Sequence, residues 1–150
     1  MHALCTASVV IARFLLSAIF LASGVNKIVH WGVTEQLLMT IFGNWQSYLS
    51  GYEIAQNFFA SMIFFTPTLL FAATLMELSG ALLLLLGVKE KMGAALLLLV
   101  LIPTTILFHQ FWFVEPSQKE LQQVMFLKNL AIIGGLILVL LQGAQPPKKV

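Results

Sequence analysis

Charge is what this 150-residue chain has least of: Asp, Glu, Lys and Arg make up 9% of it, against 59% hydrophobic residues and a mean hydropathy of +0.94. A soluble domain of this length carries about a quarter charged residues. So little polar material cannot cover a water-exposed surface, which excludes a soluble globular domain and leaves a polytopic membrane protein. The net charge of +2 is too small for nucleic-acid binding. A single cysteine, Cys5, excludes an internal disulfide, a CxxC redox pair and a cysteine-based metal site. No Lys or Arg precedes Arg13, so FLLSAIFLASG at 14–24 lacks the basic flank of a signal peptide and reads as part of a span.

What the chain has in quantity is long apolar runs. Four reach the ~20 residues that a bilayer crossing needs: about 8–29, 66–87, 92–113 and 120–141. The second opens at Thr66-Pro67, an N-cap followed by a first-turn proline, and ends at Gly87. Lys89, Glu90 and Lys91 make a tight turn into the third. The expected architecture is all-α: one polytopic domain over 1–150, a four-helix transmembrane bundle with an aromatic-rich interfacial segment between helices 1 and 2. That segment, 31–65, mixes Trp31, Trp45, Tyr48, Tyr52, Phe58 and Phe59 with polar residues and glycines. Such a composition suits the membrane surface or a cap on the bundle, without re-entry. Its centre, GNWQSYLSGYE, has too many turn formers for one continuous helix.

The basic residues set the orientation. Lys89, Lys91, Lys148 and Lys149 fall on the side that holds both termini, with Arg13 just inside it. The other side carries Lys27 and Lys119 against Glu35, Glu53, Glu115 and Glu120. The positive-inside rule then places both termini in the cytoplasm, in the inner membrane if the source is bacterial.

An ionisable group within a span costs roughly 2.5–3.5 kcal/mol on insertion scales, so each one asks for a reason. Arg13, Ser17, Phe20, Gly24 and Lys27 recur at intervals of 4, 3, 4 and 3, one helical face pointing into the bundle. Lys27, beside His30 and Trp31, reads as snorkelling to the outer interface; Arg13 divides evenly between snorkelling and pairing. Glu77 lies eleven residues from Thr66, ~16 Å deep at 1.5 Å per residue, on a partly small face, Ala73-Glu77-Gly80-Leu84. Lys128 enters from the same side at ~12 Å depth and is the expected partner of Glu77, with Arg13 the second candidate. Lys27, Glu77, His109, Lys128 and Asn129 together make either a buried polar network that fixes helix register or a polar pocket open to the outer side.

In LIPTTILFHQFW, Pro103 removes the hydrogen bond to Leu99 and kinks the third span, with Thr104 and Thr105 nearby to satisfy freed groups. Thr105, His109 and Trp112 then share a helical face. His30 and His109 are the only histidine pair to weigh as haem ligands, and their different depths count against it. In the fourth span, Ala131 and Gly135 have a small-xxx-small spacing that favours close packing within the bundle or in a homodimer.

Four stretches in succession carry a resemblance: RFLLSAIFLASGVNKI at 13–28, MELSGALLLLLG at 76–87, TTILFHQFW at 104–112 and FLKNLAIIGGLILVLL at 126–141. Together they resemble the DoxX family of small bacterial membrane proteins, in order and across all four spans. The resemblance implies a compact four-helix membrane bundle. It also implies a link to thiosulfate:quinone oxidoreductase and to membrane complexes that handle thiol and oxidative stress. The architecture is similar to that of four-helix membrane thiol oxidoreductases, but those need paired cysteines, and Cys5 alone cannot do dithiol chemistry.

Three functions follow as expectations. The first is a non-catalytic membrane subunit or small-molecule-binding bundle of a redox-related complex, since no nucleophile–base pair, metal-ligand set or phosphate loop is present. The second is a quinone-linked oxidoreductase subunit, in which Glu77, His109 and Lys128 beside Trp112 supply hydrogen bonds to the quinone while electrons come from another subunit. A small transporter is the third, and would need a dimer for alternating access. No cofactor motif is visible; quinone is the one the second reading requires. The lipid bilayer is the expected surrounding, with a partner subunit or a second copy as protein partner.

Overall fold

The computed structural model describes residues 2–143, and side chains from residue 7 onward. Lys148 and Lys149 of the expected basic tail lie outside the described residues, as does the side chain of Cys5. Six helices follow in order: α1 (His2–Val29), α2 (Trp31–Tyr48), α3 (Glu53–Phe64), α4 (Thr66–Leu86), α5 (Glu90–Phe108) and α6 (Pro116–Gln142). Among the described residues there is no strand. Four helices, α1, α4, α5 and α6, are long and apolar enough to cross a membrane, with mean hydropathies of 2.0–2.4 over their best windows. The outward faces of these helices are apolar, with residues such as Phe14, Leu15, Phe71, Leu99 and Leu138 exposed, as a lipid-facing surface requires. The chain is a multi-pass, all-α membrane protein.

α4 and α5 form the tightest pair. Gly80 and Gly93 face each other so closely that a Cβ on either would lie 2.8–2.9 Å from the other's carbonyl oxygen. Small residues at a membrane helix crossing let the backbones approach and gain dispersion contacts that lipid cannot match. Around this crossing Phe20, Ala81, Leu84, Ala94, Leu97, Leu101, Leu136 and Val139 make one core in the half of the bundle nearest the α4–α5 turn. α1 packs on α4, with Gly24 receiving the Leu78 side chain, and α6 packs on α5. α1 and α6 scarcely touch. The Ala131–Gly135 spacing does not make the crossing: Ala131 is exposed, Gly134 faces open space, and only Gly135 approaches Leu16.

The turn between α4 and α5 follows from glycine. Gly87 sits at φ +70°, and Val88 N–H donates to the Leu83 carbonyl in the helix-ending pattern that a left-handed residue permits. The Arg13 guanidinium lies over the same glycine, 1.7 Å from where a Cβ would be, and pairs with Glu90 at 3.0 Å.

The segment between α1 and α4 is an antiparallel helical hairpin. The break falls at 49–52, while Gly43 and Asn44, expected in the turn, lie inside α2. The hairpin packs along the halves of α4 and α5 remote from the α4–α5 turn and forms with them an apolar cavity of about 310 Å³, lined by Phe42, Phe59, Met62, Met76 and Pro103 among others. Its other side exposes Val33, Leu37, Ile54 and Phe64, which favours lipid contact along the bundle's flank over a cap on its end. Thr66 is the first residue of α4 rather than its cap, and its hydroxyl donates backward to the Met62 and Ile63 carbonyls at the end of α3.

The third span is shorter than its apolarity implies. α5 ends at Phe108, five residues before the expected boundary. His109–Glu115 form an irregular connection in which Trp112 and Phe113 pack on Trp45 and Phe113 stacks on Tyr48. Trp45 Nε1 donates to the Leu107 carbonyl, one of the orphan acceptors of that helix end. An aromatic run reads as span in a hydropathy window whether or not it is helical.

Candidate functional site

The tight crossing in one half of the bundle leaves the other half open. Between α1 and α6, where two spans stand adjacent with little contact, a cleft of about 240 Å³ runs inward to α4. Its apolar walls are Ile19 and Phe20 of α1, Val100 and Leu101 of α5, and Ile132 of α6. Its polar groups are Ser23, Lys27, Glu77, Thr104, His109, Lys128 and Asn129.

An ion pair forms the floor. Lys27 Nζ donates to Glu77 Oε2 at 2.6 Å and to Ser23 Oγ at 2.7 Å. Glu77 is 4% exposed, and Lys27 is half-buried. Three features bring them together. The 4-3-4-3 face of α1 turns Lys27 inward, Gly24 lets Leu78 of α4 close on α1, and Ser23, one turn before Lys27, supplies a second acceptor. The pair replaces two expectations, that Lys27 snorkels outward and that Lys128 or Arg13 meets Glu77. Arg13 is engaged with Glu90, about four helical turns before Lys27 on α1. With α1 and α4 antiparallel, Lys27 paired to Glu77 and Arg13 held at the α4–α5 turn by Glu90, the C-terminal end of α1 reaches only as far as the middle of α4, so Lys27 is deep rather than interfacial.

The other site candidates divide. His109 Nδ1 lies 2.9 Å from Gln122 Oε1; with that oxygen as acceptor the ring proton is on Nδ1, and Nε2 is an acceptor. This holds the imidazole in the cleft, just past the end of α5. Asn129 is 8% exposed and lines the cleft. Lys128 stands at its rim, exposed, its ammonium 3.3 Å from Met125 Sδ. Trp112 is not part of the cleft: it packs in the aromatic cluster against Trp45, Phe111 and Phe126, and the face it was to share with Thr105 and His109 is lost where α5 ends. Thr104 and Thr105 both donate back into their own helix, to the Val100 and Leu101 carbonyls. Leu99 keeps the carbonyl that Pro103 leaves without a helical donor.

Gln122, which orients His109, was not singled out in the sequence, and neither was Gly93. Gln122 stands in a polar run at the start of α6, where nothing distinguishes it from its neighbour Gln123. Gly93 could have been found as the counterpart of Gly80 across a tight antiparallel turn. Among the described residues no group of three or more His, Cys, Asp or Glu is placed to hold a metal ion.

Apolar spans around a buried ion pair, with a polar cleft opening toward lipid, define a small integral membrane bundle. The model of the DoxX family matches residues 8–110, which takes in α1 to α5. The chain belongs to the DoxX family. No curated protein and no solved structure matches it.

Proposed function

We propose that this chain is a non-catalytic, ligand-binding membrane subunit of a redox-related complex, and that the cleft between α1 and α6 takes a lipid-soluble molecule with a polar head. The observation that supports it is the coexistence, in one cleft, of apolar walls and inward-facing polar groups at mid-span depth. A buried network serving only helix register has no need of a cavity beside it. The proposal includes placement in a bacterial inner membrane with both termini cytoplasmic.

A narrower reading, quinone as the molecule, is favoured by hydrogen-bonding groups at two heights of the same apolar slot, His109 above and Lys128 with Asn129 below. The chain's one cysteine has no partner for dithiol chemistry, so in that reading electrons come from another chain.

The test uses protein purified in mild detergent. Organic extraction with mass spectrometry identifies bound molecules, a redox difference spectrum reports quinone, and co-purifying chains are identified. We expect about one lipophilic molecule per chain, lost in Ile132→Trp, which fills the cleft. An extract with no such molecule, or one unchanged by Ile132→Trp in a variant of normal unfolding midpoint, would sink the proposal.

A further inference from the structure

The cleft contains more positive than negative charge, and from this we infer the sign of its ligand: an amphiphile with an anionic head, a carboxylate or phosphate, held by Lys128 and Asn129. The inference rests on the cleft being a ligand site.

The charges facing the cleft come from every helix that lines it. α1 contributes Lys27, α4 contributes Glu77, the connection after α5 contributes His109, tied to Gln122, and α6 contributes Lys128. Lys27 and Glu77 satisfy each other at 2.6 Å. That leaves Lys128, whose ammonium has the Met125 thioether as its partner, a weak acceptor. Lys128 stands eight residues past Glu120, ~12 Å along α6 by helix rise. Among the described residues no acidic side chain pairs with it, and an ionisable group within a span is costly without a partner. Next to it, the Asn129 carboxamide is buried, lines the cleft and makes no hydrogen bond to another described residue.

A lysine without an acidic partner and a buried amide therefore both line the cleft, Lys128 at its rim and Asn129 within it, and the carboxylate that lines it, Glu77, is already taken. That set matches an anionic head, to which charge-assisted hydrogen bonds are about twice as strong as neutral ones. A neutral carbonyl head, such as that of quinone, would accept a hydrogen bond from Lys128 and leave its charge uncompensated, so this inference selects against the narrower quinone reading. The chain of the amphiphile lies along Ile19, Phe20, Leu101 and Ile132 and reaches the leaflet through the seam where α1 and α6 part. The sides of this seam that face lipid are already apolar, so no polar barrier stands in the path.

The test compares three probes on the full chain in phosphatidylcholine nanodiscs by native mass spectrometry: oleate, oleyl alcohol and inorganic phosphate. Wild type should bind oleate roughly tenfold more tightly than oleyl alcohol, the scale of one charge-assisted contact. Lys128→Met should remove that preference and Lys128→Arg should keep it. Equal binding of the two probes by wild type, or a preference unchanged in Lys128→Met, overturns the inference. Lys128→Met deletes a membrane-embedded charge and makes no cavity, so its folding is not in question. Phosphate that displaces oleate from wild type but not from Lys128→Met would place the anion in the aqueous phase and overturn the amphiphile. Ile132→Trp should abolish binding of both lipids. If it abolishes both while wild type shows no preference, the anionic head alone fails; if both still bind, the ligand-site reading fails with it.

Discussion

Lys27 and Glu77 form the contact on which the most depends. A buried pair is weak support for stability as a whole, but removing one partner leaves an uncompensated charge and costs roughly 3–5 kcal/mol. Glu77→Gln should destabilise on that scale, and Lys27→Met with Glu77→Gln should recover most of the loss, as read from detergent unfolding curves. Glu77→Gln combined with Lys128→Met should instead be additive to within ~0.5 kcal/mol, because those two side chains make no contact. Glu77 was legible in the sequence as a mid-span carboxylate in need of a partner. Which lysine serves was not, because a sequence gives depth along one helix and says nothing of how far neighbouring helices are offset. Gly87 is constrained twice, by its positive φ and by the guanidinium lying over it. Gly87→Ala should lower stability by more than the ~1 kcal/mol of a left-handed Ala alone, with Arg13–Glu90 broken as well. Pairing Gly87→Ala with Arg13→Ala separates the two effects in the same unfolding assay.

Among the elements, the α4–α5 crossing decides the shape of the bundle. A methyl group at Gly93 would meet backbone that cannot swing aside, so Gly93→Ala should force the helices apart and cost about 1–3 kcal/mol. Gly134→Ala, in open space on α6, should be neutral or slightly stabilising through helix propensity. Comparing the two by thermal unfolding asks whether the crossing or the α6 glycines hold the bundle. The sequence made four spans plain, because long apolar runs have few alternatives. It made the end of α5 and the course of the hairpin obscure, because Phe111, Trp112, Phe113, Phe58 and Phe59 are as apolar as any span. These residues pack on one another rather than continuing a helix. The kink at Pro103 was readable from its missing N–H; the cavity beside it, enclosed by Phe42 and Phe59 from another helix pair, was not.

For the whole molecule, moving Lys27 into the interior sharpens the charge asymmetry on which orientation rests. Lys119 is then the basic residue left at the end formed by α5's close and α6's start, against Lys89, Lys91 and Arg13 at the other. In a chain with Cys5→Ser, Gln118→Cys should react with a membrane-impermeant thiol reagent in intact cells, and Lys89→Cys only after permeabilisation. The reverse labelling would invert the topology and with it the side on which His109 lies.

The parted seam also has a meaning in time. α1 is made and inserted well before α6, and α6 meets α5 but barely meets α1. Until that helix arrives, Lys27 and Glu77 have lipid where the α6 wall will stand, and each is the other's charge partner. The cleft is therefore the final piece of the protein to come into being.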